Sequence, residues 1–313
     1  RWNPEDATAY FKRGNAHLTT GNNDAAISDY TEAIRWNPED ATAYFKRGNA
    51  HLKTGNNDAA ISDYTEAIRL DSEDADSHFN RGYAHDENGD FDAAITDYNE
   101  AIRLNPADAK AYFNRGYAHE ENGDFDSAIT DYSKAIRLSP KFAKAYFKRG
   151  YSHRTNDNFD AAIDDYSEAI RLDPENALAY LGRGLAQHGN GDYDAAITDY
   201  SEAIRLDPKF ARAYFNRGIA HRENGDFDAA ITDYTEAIRL DPVDADSYYN
   251  RGIIHYDNGD FEAAIADYTK AIRLRPDFLA AYFNRSHCYY DNGDFIAANI
   301  DMLKFRELEK QAA

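Results

Sequence analysis

The chain has 313 residues, 42% of them hydrophobic and 29% charged, the balance of a folded protein with a water-facing surface. Thirty-five basic against 56 acidic side chains leave a net charge of −21, which repels nucleic-acid phosphates and anionic lipid. One cysteine, Cys288, excludes an internal disulfide framework and a cysteine-based zinc site, and no apolar run is long enough to insert in a membrane.

The first six residues, Arg1-Trp2-Asn3-Pro4-Glu5-Asp6, return word for word at Arg35 to Asp40, 34 positions on. A fixed period of this length outranks any local signal, because it marks a repeat architecture. Residues 1–6 read as the linker tail of a preceding repeat. Nine repeats follow as one solenoid over 7–312, at 7–40, 41–74, 75–108, 109–142, 143–176, 177–210, 211–244, 245–278 and 279–312. A start at Arg1, with neither initiator methionine nor signal-like segment, suggests a processed product or part of a longer chain, and the compartment stays unread.

Within each repeat the spacing predicts two helices. Asn88-Gly89-Asp90, Asn122-Gly123-Asp124 and Asn224-Gly225-Asp226 sit near mid-repeat, where glycine closes one helix and the aspartate caps the next. All eight prolines, from Pro4 to Pro276, share one slot and stop the second helix. A hairpin of two such helices cannot bury its own faces, so a continuous core requires stacking of successive hairpins. Small residues recur at the eighth slot (Gly14 to Gly252, then Ser286) and at Ala26 and its counterparts, letting helices approach. Tyrosines such as Tyr10 and Tyr30 fill the space between.

With Tyr10-x-x-Arg13-Gly14, Ala26-x-x-x-Tyr30, Ala33 and Pro38, the chain resembles the tetratricopeptide repeat family over essentially its whole length. The resemblance implies an all-α, right-handed superhelical solenoid of nine antiparallel helix hairpins that binds protein partners and performs no catalysis. Where the family usually has leucine, this chain has arginine in every repeat, and aspartate follows sixteen residues later. Both lie eight residues from the turn, so structural ion pairs are expected for Arg13–Asp29, Arg115–Asp131, Arg217–Asp233 and their equivalents. Seven repeats also carry a histidine, as at His17, expected as a hydrogen-bonded interhelix residue; successive helices stand too far apart for these rings to share a metal. Neither calcium-loop spacing, phosphate loop nor nucleophile elbow occurs, so no cofactor, no metal and no catalytic residue is expected. Asn284-Arg285-Ser286 matches a glycosylation acceptor but falls within a predicted helix.

The fifth and ninth slots of each first helix lie on one edge, about 40° apart. By resemblance this edge lines a concave groove, and here it carries Phe79, Tyr83, Phe113, Tyr117, Phe147, Tyr151 and Phe215. Such a stripe suits a protein or peptide, or a sugar chain. Lateral packing between adjacent first helices would account for the same aromatics. The family's carboxylate clamp needs lysine at the fifth slot and asparagine or arginine at the ninth; the fifth slot here is never lysine, and only Asn15 and Asn49 match the ninth. The alternative is a structural protein whose open ends stack head to tail into a filament, through Tyr10, Ala16 and His17 at one end and Met302, Phe305 and Leu308 at the other. Arg306, standing where Ile272 stands one repeat earlier, argues against a simple continuation.

Overall fold

The computed structural model describes residues 6–312 in backbone and 6–311 in side chains; the tail at 1–5 lies outside the described residues. The described residues hold eighteen helices and no strand, and they fall into two compact units, one ending at Asn156 and the other beginning at Asp157. The first unit holds α1 (Ala7–Thr19), α2 (Asn23–Trp36), α3 (Ala41–Lys53), α4 (Asn57–Leu70), α5 (Ala75–Glu87), α6 (Phe91–Leu104), α7 (Ala109–Glu121), α8 (Phe125–Leu138) and α9 (Ala143–Thr155). The second holds α10 (Phe159–Leu172), α11 (Ala177–Gly189), α12 (Tyr193–Leu206), α13 (Ala211–Glu223), α14 (Phe227–Leu240), α15 (Ala245–Asp257), α16 (Phe261–Leu274), α17 (Leu279–Asp291) and α18 (Phe295–Ala312). In both, each helix packs on the one before and the one after, so the hairpins stack in chain order.

Local chemistry sets the boundaries. At the end of α1, Gly21 takes φ +78°, its N–H bonds Leu18 O, and Asn22 N bonds His17 O at 2.9 Å, the paired closure of a helix C-terminus. Asn22 then accepts from Ala25 N and caps α2. In the fifth repeat this left-handed position belongs to Asp157, at φ +56°, the one described non-glycine residue with positive φ. Most first helices open on an aspartate or asparagine cap, but Phe142, Phe210 and Phe278 stand there without a capping bond. Phe142 and Phe278 instead lie 4.8 Å from Phe113 and 4.7 Å from Tyr249, ring to ring, exchanging a polar cap for aromatic burial.

The core is a column of tyrosines on glycines. Tyr30, Tyr64, Tyr98 and Tyr132 are fully buried in the first unit, and Tyr200 and Tyr234 in the second. A Cβ on Gly14 would come within 2.8 Å of the Tyr30 ring, and one on Gly116 within 3.0 Å of Tyr132. The alanine that follows two residues later closes the next interface: Ala50 from α3 packs on Ala26 and Tyr30 of α2. The last repeat changes both members, with Ser286 for the glycine and flexible Met302 for the tyrosine.

Candidate functional site: the first-helix edge and its ion-pair ladder

The expected arginine–aspartate pairs form in both units. Arg13, Arg115 and Arg217 grip Asp29, Asp131 and Asp233 through two nitrogens each, for example Arg115 Nε–Asp131 Oδ2 at 2.7 Å and Nη2–Oδ1 at 2.6 Å. Arg47, Arg81, Arg183, Arg251 and Arg285 do the same with Asp63, Asp97, Asp199, Asp267 and Asp301. The aspartates are buried, so the fork geometry and full use of both oxygens offset their desolvation.

A third contact was not foreseen. The remaining nitrogen, Nη1, reaches back to the preceding hairpin: Arg47 to Thr31 Oγ1 at 3.1 Å, Arg115 to Asn99 Oδ1 at 2.6 Å, Arg149 to Ser133 Oγ at 2.8 Å, Arg217 to Ser201 Oγ at 2.9 Å. The signal lay in the sequence: the residue sixteen before each of these arginines is threonine, serine or asparagine. A second clip joins the turns, where Asn88, Asn122 and Asn224 donate to Asp58, Asp92 and Asp194 of the hairpin before.

The histidines correct one expectation. His17, His51, His221 and His255 stand 3.8–3.9 Å from the same aspartates, too long for a hydrogen bond. The arginine fork already occupies both carboxylate oxygens, and burial pushes His51 below the ordinary histidine range. Among the described residues no group of three histidine, cysteine, aspartate or glutamate side chains could hold a metal.

On the candidate edge, the fifth-slot rings divide their faces. Phe79, Phe113 and Phe215 are half-buried and tilted against the buried tyrosines Tyr98, Tyr132 and Tyr234 at 5.7, 5.5 and 6.0 Å. Phe147 is half-buried too. The ninth-slot rings stand further out: Tyr83 and Tyr151 are 38% and 37% exposed, with Tyr117 half-buried between them in sequence. In the second unit the same edge is aliphatic at Leu185, Ile219 and Ile253, and fifth- and ninth-slot residues Phe283, Ile253 and His287 border an open cleft of about 310 Å³.

The first unit also places carboxylates beside the tyrosines. Glu120 is buried and fully engaged: Lys148 Nζ donates to Oε1 at 2.6 Å, while Ser152 and Tyr132 hydroxyls lie 3.1 and 3.2 Å from Oε2. Lys148 Nζ also stands 4.6 Å from the Tyr117 ring centre and 5.8 Å from that of Tyr151. One repeat earlier, burial and the nearby Glu87 and Glu121 carboxylates push Asp86 up to about 6. Burial, then Glu121, pushes the Tyr117 phenol up to about 12.

At the chain ends, Tyr10 and His17 are half-buried and Ala16 exposed. Met302 lines a cleft of about 460 Å³ with Tyr290, Phe295 and Ala298, whereas Phe305 lies 5.3 Å from Phe283, ring to ring, inside its own hairpin. Leu308 is half-buried. The larger exposed apolar surface belongs to residues not singled out in advance, Phe295, Ile296, Ile300 and Leu303. Ile296 was legible, since earlier repeats have aspartate or glutamate in that slot.

No helix among the described residues is long and apolar enough to cross a membrane. The family model described as tetratricopeptide repeat matches in overlapping windows at 1–41, 11–75, 45–107, 79–141, 147–209, 189–245, 215–277 and 249–298. No protein of curated function matches the chain significantly. Among solved structures it is similar to MamA, with 30% identity, TM-score 0.51, and coverage of 53% of this chain and 96% of that one. It is also similar to YrrB, titled a TPR protein with an unusual peptide-binding site, with 26% identity, TM-score 0.51, and coverage of 59% and 95%. A repeat protein from Cytophaga hutchinsonii shares the fold at TM-score 0.66 and 18% identity, covering 77% of this chain and 98% of that one. With the period, the hairpins and the tyrosine-on-glycine packing in place, these matches show that the chain belongs to the tetratricopeptide repeat family.

Proposed function

We propose that the chain is a non-enzymatic protein-interaction scaffold that receives a partner peptide along the fifth- and ninth-slot edge of its first helices. The observation that carries this reading is the division of labour on that edge. Phe79 and Phe113 spend one face on the core and keep partial exposure, and Tyr83 and Tyr151 stand out beside them. Rigid aromatic rings, apolar in phenylalanine and tipped with a hydroxyl in tyrosine, are side chains that extended peptides dock against. The similarity to a structure titled as peptide-binding supports the same class of ligand. Peptides selected by display on the full chain should lose affinity about tenfold or more when Phe113 and Tyr117 are changed to alanine, beyond any loss of folded fraction. Selected peptides that bind these variants unchanged would move the site elsewhere.

A second reading is head-to-tail stacking into a filament, and the exposed Phe295, Ile296, Ile300 and Leu303 favour it. Leu303 occupies the slot where earlier repeats offer an arginine acceptor such as Thr31, so Arg13 of a second chain would find no partner there. Stacking on this face would therefore be an apolar contact distinct from the repeat interface. Light scattering across a concentration series separates the two readings: a constant monomer mass excludes the filament.

A further inference from the structure

The slots that build the Glu120 site recur one repeat earlier without their cation. Lys148 follows Glu120 by 28 residues, and at the same spacing Asn114 follows Asp86. Ala118 stands where Ser152 stands, and Tyr83 and Tyr117 replace Tyr117 and Tyr151. Among the described residues no cationic side chain pairs with Asp86, whose charged neighbours are the carboxylates of Glu87 and Glu121. Tyr98, fully buried, has its hydroxyl near Asp86, Tyr83 and Asn114, but it makes no hydrogen bond to Asp86 of the kind Tyr132 makes to Glu120. A carboxylate ringed by carboxylates, with no cation to offset them, is costly to keep charged.

We propose that Tyr83, Tyr117 and Asp86 form a recognition site for the lysine side chain of an extended partner peptide, its ammonium taking the place that Lys148 takes one repeat further on. The inference rests on the groove reading above and names its ligand chemistry. A lysine fits better than a rigid guanidinium because the chain's own occupant of the equivalent position is an ammonium on a flexible stem, stacked on tyrosine and paired with a carboxylate. The net charge of −21 and the flanking Glu87 and Glu121 add attraction for a basic segment.

The test uses the full chain with fluorescein-labelled octalysine at about 150 mM salt, where distant charges are screened. Asn114→Lys should fill the site from within and weaken octalysine binding about tenfold. Asn216→Lys adds the same charge in the same slot opposite His188, where there is no carboxylate, and should shift affinity less than about twofold. Asp86→Asn, a second route to the same loss, guards against a folding defect in either lysine variant. Octalysine acetylated on every side chain should not compete. Equal effects of the two lysine variants, or competition by the acetylated peptide, would overturn the proposal. Competition by free spermidine as strong as by octalysine would overturn the peptide assignment. If display-selected peptides still depend on Phe113 while Asn114→Lys leaves octalysine binding unmoved, the lysine site fails and the groove reading stands. If neither class depends on this edge, both fail.

Discussion

Arg115 donates to Asn99 across a hairpin boundary at 2.6 Å while its other two nitrogens hold Asp131 in its own hairpin. One guanidinium thus closes a hairpin and fastens it to its neighbour, which makes stacking directional. The two halves differ in depth, since Asp131 is buried and Asn99 exposed. Asp131→Ala leaves a charge half-buried and should cost about 2–4 kcal/mol, whereas Asn99→Ala removes one hydrogen bond and should cost about 1 kcal/mol. Urea denaturation, with hydrogen exchange to localise the loss, checks the ranking; equal costs would deny the bidentate pair its role.

The tyrosine-on-glycine contact predicts a compensating pair. Gly116→Ala brings Cβ to 3.0 Å from Tyr132 and should destabilise by about 1–3 kcal/mol. Adding Tyr132→Met pairs the larger residue with a flexible partner, as Met302 is paired with Ser286 in the last repeat, and should recover part of that loss. Strict additivity of the two changes in a thermal melt would contradict the contact.

Asp157 holds a left-handed backbone that glycine holds in the other repeats. Asp157→Gly should stabilise the chain by about 0.5–1 kcal/mol, the relieved strain outweighing the entropy of a freer unfolded chain. A lower melting temperature would show that the aspartate side chain supports the turn.

Asp86 predicts a pH signature. Its folded-state value, raised to about 6 by burial and then by Glu87 and Glu121, exceeds the ordinary 3.8, so the folded chain holds this proton more tightly than the unfolded one. The sign follows: the group costs nothing below about pH 4, and stability falls as pH rises through the window from 4 to 6. Asp86→Asn should therefore stabilise at pH 7 by about 1–2 kcal/mol, allowing for solvent screening of a half-exposed group, and that gain should vanish near pH 4. A gain independent of pH would remove the carboxylate as its source.

The hairpins, their boundaries and the arginine–aspartate pairs were legible in the sequence because each depends on neighbours within one repeat. Gly21 ends α1 and Asn22 starts α2 through local backbone geometry, and Arg13 and Asp29 are level across one turn. Tertiary structure decided what happens between hairpins. The same slots hold Lys148 on Glu120 in one pair of repeats and leave Asp86 without a cation in the pair before, a difference of side-chain length and charge over 28 residues that periodicity cannot weigh. Both oxygens of Asp63 went to Arg47, so His51 was left without the hydrogen bond expected of it. Phe79, Phe113 and Phe215 were divided between core and surface by the buried tyrosines they meet, and Phe305 was drawn into its own hairpin by Phe283. A repeat dictates which residues can meet; competition among the partners that do meet selects the contacts, and that competition exists only in the folded chain.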